Sequence, residues 1–409
     1  MRSSKYFILT GLTCFIRNEY RFPRECITSQ ICLGHRTLEE VSLNESPIAL
    51  LAGFTDPSGL CAACQEILTL DFREVIGLKG CRVKIFLRDL FQIVKFKVAY
   101  RFTGAESTAQ KTVILFFNRM WGGAFDFAGL ELPPGVMLTS DRRWFRQATA
   151  VVFHVPDMRW LSLVRKIPGQ IWVAWSLESE AHYPQLCDPE FMKQFDLTMT
   201  YHRDADIVSS YFDCYGSPEN FKLHLLTPTK PKSGDKLANL FISSPHDKSG
   251  RSSYLRELVK HLSVHSYGKF MQTHILQDDR GRQSKLDIIA GYKFTLAFEN
   301  ARTTDYVTEK FYDPLVAGSV PVYLGAPNVH DFAPGEHCFI NVDDFASPRA
   351  LAEYLLSLHV DDAAYKAYFS WKQRPLRPEF CTMLEGQRES RFVRLCRKVL
   401  AKGKSEPPR

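Results

Sequence analysis

No stretch of this 409-residue chain reaches the ~18–20 consecutive apolar residues that a membrane-spanning helix needs. The longest approach, residues 6–16, is interrupted by Thr10 and Gly11 and stopped by Arg17. It follows a short basic start, but no small-x-small cleavage site comes after it, so it reads as a short buried strand rather than a leader. Gly-x-Gly-x-x-Gly is absent, which removes the usual dinucleotide fingerprint. Of 11 cysteines only Cys61 and Cys64 stand at Cys-x-x-Cys spacing. No second pair completes a zinc finger, and the cysteines leave the redox compartment open. One glycosylation sequon, at Asn44, says little by itself. No Lys/Arg stripe with interleaved aromatics occurs, which excludes an ordinary nucleic-acid binder. The net charge of +7 is mild and compatible with an anionic ligand.

What is present describes a soluble α/β protein. Hydrophobic residues make up 45% and charged residues 24%, and the length suffices for two domains. Residues 1–110 hold short apolar runs among basic residues and no motif. Within them, 88–101 reads either as a basic amphipathic segment touching a membrane or partner, or as a strand-rich fragment. From Thr112 the pattern is regular, with strands expected at 113–117, 137–142, 150–154, 171–175 and 195–201. A glycine turn follows Trp121, and a helix is expected at 142–148. Residues 228–235, rich in proline, glycine and charge, read as a linker. Beyond it come a strand at 237–244, a helix at 251–262 with Leu255, Leu258, Val259 and Leu262 on one face, and a helix at 348–358. Strands alternating with helices predict parallel sheets covered on both faces. The tail, 386–409, is a basic amphipathic helix, either solvated or resting on a membrane surface.

The most informative stretch is 293–325. Phe294, Leu296 and Phe298 alternate with Lys293, Thr295 and Ala297, as in a strand, which stops at Glu299 and Asn300. Asp305 is the expected N-cap of a helix over 306–317, with Tyr306, Glu309 and Lys310 on one face. Gly318 marks its end and 320–324 the next strand. Pro314 inside that helix predicts a kink or break at Asp313. A helix N-terminus with a lysine one turn in suits a phosphate, and a glutamate accepts hydroxyls. Read from spacing alone, the same residues also fit a solvated helix face.

The stretch resembles, nearly end to end, the donor-binding signature of the α1,3/1,4-fucosyltransferase family, glycosyltransferase family 10. The matching residues are Phe-Thr-Leu-Ala-Phe-Glu-Asn at 294–300, Asp-Tyr-Val-Thr-Glu-Lys at 305–310 and Gly-Ser-Val-Pro-Val-Tyr-Leu-Gly at 318–325. The likeness continues through 326–345 to Tyr-Phe-Ser-Trp-Lys at 368–372, and over 141–154 and 172–206. The resemblance implies GT-B architecture: two Rossmann-like domains with parallel sheets facing across a cleft. That divides the chain into an N-terminal extension of unassigned role (1–110), an acceptor-side domain (111–230), a GDP-fucose-binding domain (236–385) and the basic tail (386–409).

The implied activity is inverting transfer of L-fucose from GDP-β-L-fucose to a GlcNAc-type residue, forming an α1,3 or α1,4 bond. Glu178, at a strand end, is implied as the base that takes the acceptor proton, with Glu180 the runner-up. Arg251 is implied to grip the pyrophosphate bidentately. Glu299, Asn300, Tyr306, Glu309 and Lys310 complete the expected donor site. No cofactor or metal is expected, and the carboxylates Asp204, Asp206, Asp343 and Asp344 read as structural. Expected partners are GDP-fucose and an oligosaccharide or glycoconjugate acceptor, with peripheral membrane contact through basic segments and no nucleic acid. A bacterial-type location is expected, cytoplasmic or on the cytoplasmic face, with the Golgi as alternative. Transfer of another nucleotide-sugar, or a degenerate member that binds without turnover, are the other readings.

Overall fold

A computed structural model describes residues 111–158, 164–230, 232 and 236–405. The expectations for 1–110 lie outside the described residues. Eleven short strands make two parallel sheets. The first contains β1 (Thr112–Phe116), β2 (Val136–Thr139), β3 (Ala150–His154), β4 (Ile171–Ser176), β5 (Leu197–Thr200) and β6 (Ile207–Val208), in the order β2-β1-β3-β4-β5-β6. The second contains β7 (Ala238–Leu240), β8 (Val264–Ser266), β9 (Phe294–Phe298), β10 (Val320–Leu324) and β11 (Ile340–Asn341), in the order β11-β10-β9-β7-β8. This is the expected pair of Rossmann-like units. In each sheet the order reverses beside the first strand, so the crevices open after β1 and β3, and after β7 and β9.

The alternation read in 294–298 separates two buried faces, not a buried from a solvated one. Phe294, Leu296 and Phe298 join Val320, Val322 and Leu324 under helices α2 (Arg251–Leu258) and α5 (Pro348–Val360). Ala297 faces the other core. The polar members are satisfied inside: Thr295 hydrogen-bonds Ser319 and Asn239, and the Lys293 ammonium donates to the His359 carbonyl at 2.9 Å and pairs with Asp362. A central parallel strand is covered on both sides, so its polar residues need internal partners.

The chain crosses between the two units twice. Helix α1 (Pro218–Leu226) precedes the expected linker, yet Phe221 and Leu225, with Phe212 and Tyr215 just upstream, pack with Phe311, Tyr312 and Leu315 of α4 (Glu309–Ala317). The Lys372 ammonium, in the Ser-Trp-Lys part of the resemblance, pins this crossing by donating to the Leu225 and Thr227 carbonyls at 2.6 and 3.0 Å. After α7 (Pro378–Glu385) comes the return, α8 (Arg391–Ser405), which lays Leu395, Cys396 and Val399 on Ile114, Phe116, Val152 and Val173 of the first sheet. The expectation of a solvated or membrane-resting tail is therefore corrected. Its apolar face is used in the core, and Arg391 and Lys398 pair with Asp213 and Asp206.

Candidate active site

Three local expectations about the 293–325 stretch fail, each for a physical reason. The helix begins at Glu309 and its N-cap is Thr308, whose side chain accepts from the Lys310 N–H. Asp305 cannot cap it, because it sits three residues earlier at φ +67° with its carboxylate turned to the other unit. Tyr306 therefore lies outside the helix and shares no face with Glu309 and Lys310. Finally, α4 is one helix through Pro314, so of the kink or break expected at Asp313 the break does not occur. Asp313 is fully buried and its carboxylate accepts from Tyr215 at 2.7 Å and Arg282 at 2.6 Å, which holds that turn in place. Gly318 does end the helix, at φ +77°.

Glu299, at the end of β9, is completely buried. It accepts from the Thr308 N–H at 2.8 Å and hydroxyl at 2.9 Å, and the Lys310 ammonium stands 3.3 Å away. It thus ties the strand end to the start of α4 and steadies Lys310. Gly325 makes this possible: a Cβ there would come within 2.6 Å of the Glu299 side chain and 2.3 Å of the Tyr323 hydroxyl. Lys310 also meets Thr308 at 3.0 Å and Glu309 at 3.4 Å. Burial works against its charge, but Glu299 and Glu309 outweigh it and hold the pKa above the ordinary lysine range. For Glu309 burial is likewise outweighed, by Lys310 and Lys285, and its pKa falls to about 2. Burial pushes Glu299 upward, against the pull of Lys310 and Thr308. A lysine held charged, and still a fifth exposed, remains available to an anion.

Arg251 opens α2, as expected, is only 2% exposed, and its guanidinium donates to the carbonyls of Phe298, Ser244 and His246 at 3.0–3.1 Å. It therefore shapes the loop after β7, and gripping a diphosphate requires exchanging those bonds. The α2 N-terminus is capped by Asp247, whose carboxylate accepts from the N–H groups of Ser249, Gly250, Arg251 and Ser252. Burial raises the Asp247 pKa less than these bonds lower it, to about 2. Asn300 faces the crevice between the units: its carbonyl accepts from the Lys248 N–H at 2.7 Å and meets the His182 ring at 3.1 Å.

Glu178 follows β4 on the first unit, its N–H bonded to the Ser176 hydroxyl at 3.0 Å. Its carboxylate accepts from the Tyr306 hydroxyl at 3.3 Å, so the acceptor-side carboxylate and the donor stretch meet across the crevice. Tyr306 is buried, edge-on to Tyr201 at 5.0 Å. Glu180 is engaged elsewhere, by the hydroxyl of Tyr201 and the ring of His202 at 3.3 Å. Burial raises its pKa, but these two bonds prevail and the net direction is down.

Around this pair lies a cross-unit lattice that the sequence did not announce. Arg203 donates to Asp305 through its N–H at 3.1 Å and its side chain at 2.9 Å, and to Asp331 at 2.8 Å. Asn328 holds Asp305 from behind at 2.9 Å, and Ser179 meets Thr303 at 3.0 Å. Of the other carboxylates, Asp206 accepts from the Thr198 N–H at 3.0 Å and Asp343 pairs with Arg302.

The family model "Glycosyltransferase family 10 (fucosyltransferase) C-term" matches residues 231–407, and "Fucosyltransferase, N-terminal" matches 109–212. The 4-galactosyl-N-acetylglucosaminide 3-alpha-L-fucosyltransferase 9 proteins of Mus musculus and Homo sapiens are each 33% identical over 272 residues, covering 64% of this chain and 72% of theirs. A GDP-fucose protein O-fucosyltransferase 3 of Canis lupus familiaris is 37% identical over 211 residues, covering 49% of this chain and 44% of its own. A crystal structure of an alpha1,3-fucosyltransferase aligns with TM-score 0.49 and 18% identity, over 77% of this chain and 95% of that one. These relatives correct the expected location: they are mammalian fucosyltransferases, which conflicts with a cytoplasmic, bacterial-type protein. Among the described residues no helix is long and apolar enough to cross a membrane. With two parallel sheets, two family models that together match 109–212 and 231–407, and relatives a third identical over most of their length, the chain belongs to glycosyltransferase family 10, the fucosyltransferases.

Proposed function

We propose that this chain transfers L-fucose from GDP-β-L-fucose to the 3-hydroxyl of an N-acetylglucosamine-type residue of a glycan, inverting the anomeric carbon. Beyond family membership, the reading is carried by the Tyr306–Glu178 hydrogen bond, 3.3 Å across the crevice, which brings one half-buried carboxylate to the donor stretch. Glu178 takes the acceptor proton as that oxygen attacks the fucose carbon, and the C–O bond to GDP breaks with its electron pair on the diphosphate. Lys310 meets the growing negative charge without a metal, its own charge sustained by Glu299 and Glu309. Arg251 contributes through the loop it orders, and Asn300 lines the donor side.

The match to a protein O-fucosyltransferase over 211 residues supports a second reading, with the same donor and a protein hydroxyl as acceptor. An array carrying glycans and folded protein domains, developed with labelled GDP-fucose, separates the two. Label on N-acetylglucosamine-containing glycans, with an α1,3 linkage by NMR, is the expected result. Label confined to proteins favours the second reading, and label nowhere contradicts both.

A further inference from the structure

Glu178 and Tyr306 meet across the crevice, and one ring stands between the segments that carry them. His202 follows β5 in the first unit. Its Nε2 lies 3.3 Å from the carboxylate of Glu180, two residues after Glu178. Its Nδ1 lies 3.7 Å from the carboxylate of Asp305, the residue before Tyr306 in the second unit. Both carboxylates are largely withdrawn from solvent, with Glu180 21% and Asp305 9% exposed. Asp305 sits at φ +67°, a backbone conformation that needs outside support, and Arg203 and Asn328 supply part of it. Tyr201, Ala301 and Tyr306 form a small apolar cluster drawn from both units, and the Tyr201 ring also packs on His202 at 4.3 Å.

The charges that face the ring are Glu180 and Asp305, with Asp204 on its own loop and the Arg203 guanidinium sharing Asp305. A neutral imidazole has one N–H, so it serves one carboxylate and turns a lone pair toward the other. The imidazolium has two and serves both. The hydrogen bond to Glu180 holds the ring's pKa above the ordinary histidine range, against burial and with help from Asp305 and Asp204. We propose that His202 is a positioning residue for fucosyl transfer: as an imidazolium it joins Glu180 to Asp305 across the crevice, and so holds the Tyr306 hydroxyl on the Glu178 carboxylate. The inference rests on the fucosyl-transfer reading for the reaction it serves. A folded pKa raised above the unfolded one means a link fully formed below about pH 6.5 and lost as pH rises through the folded value. Turnover therefore falls on the alkaline side, while donor binding, which centres on Lys310, stays constant.

The test follows kcat and KM for GDP-fucose from about pH 5.5 to about pH 9, in full-length wild type, His202→Gln and His202→Arg, with N-acetyllactosamine as acceptor. Wild-type kcat should drop roughly 3–10-fold along a single inflection, the size of one hydrogen-bonded link, with KM within about twofold. His202→Gln should stay at the low alkaline level throughout. His202→Arg, a permanent cation, should hold the high level across the range. The wild-type ring, followed by NMR, should titrate above the value of a free histidine, and Glu180→Gln should bring it down. A ring that titrates at or below about 6.5 overturns the proposal whatever the variants do. So does an alkaline fall that persists in His202→Arg, or equal losses in both variants at every pH, as a merely structural ring would give. No transfer at any pH, with the ring titrating high and responding to Glu180→Gln, would sink the proposed activity while leaving the link between the units standing.

Discussion

At the scale of single residues, charge is the organising quantity. Lys310 stands between Glu299 and Glu309, and the two carboxylates differ in what they do. Glu299 is buried and structural, whereas Glu309 lies toward the surface. The consequence is measurable in pH. Glu309 has a pKa of about 2 in the folded protein. An unfolded glutamate titrates at about 4.3. A folded pKa below the unfolded one means a contribution fully present above about pH 4.5 and lost as pH falls toward 2. The Tm gap between wild type and Glu309→Gln should therefore be widest at neutral pH and narrow between pH 5 and pH 3. A gap that does not change with pH would show that the Lys310 and Lys285 pairings contribute nothing.

At the scale of elements, strands were the most legible feature and helix starts the least. Every strand from 112 to 200 falls within a few residues of its expected place, because runs such as Ile171-Trp-Val-Ala-Trp have no competing period. The start of α4 was misplaced by three residues because Asp305 carries the better intrinsic capping side chain. What decides the matter is tertiary: Arg203 and Asn328 claim the Asp305 carboxylate, and Thr308 is left to cap. The carbonyl contacts of Arg251 were illegible for the same kind of reason, since no pattern in the sequence shows carbonyls waiting for a guanidinium. Thr308→Val should remove both the cap and the hydroxyl bond to Glu299, leaving a buried carboxylate short of a donor. The expected cost is about 2–3 kcal/mol in denaturant unfolding, with an unchanged m-value. A loss under about 0.5 kcal/mol would mean that Glu299 finds another donor, and that the Glu299–Thr308 link is incidental.

At the scale of the whole molecule, the two sheets divide the work. On the proposed reading the donor cation is Lys310, which follows the strand ends of the second, and the base is Glu178, which follows those of the first. The units are tied by Arg203–Asp305 and by Ser179–Thr303, and by two helices that cross over, α1 onto the second unit and α8 onto the first. The two-sheet architecture could be read from periodicity and from the likeness of the 293–325 signature. The crossings could not, because an amphipathic helix does not name the surface it covers: α8 reads equally well as a membrane-surface helix or a core helix.

The division of labour between the units is tested most directly by comparing Glu178→Gln, Glu180→Gln and wild type for both transfer rate and GDP affinity. The amide at 178 can still meet the Tyr306 hydroxyl but cannot take a proton. Turnover should fall by roughly 10²–10⁴-fold, the usual size of general-base help. GDP affinity by calorimetry should remain within about twofold, because the diphosphate is met from the other unit. Glu180→Gln should slow turnover far less, since that carboxylate is occupied by Tyr201 and His202. A Glu178→Gln protein that transfers fucose at nearly the wild-type rate, or a Glu180→Gln protein that is the inactive one, would contradict the account.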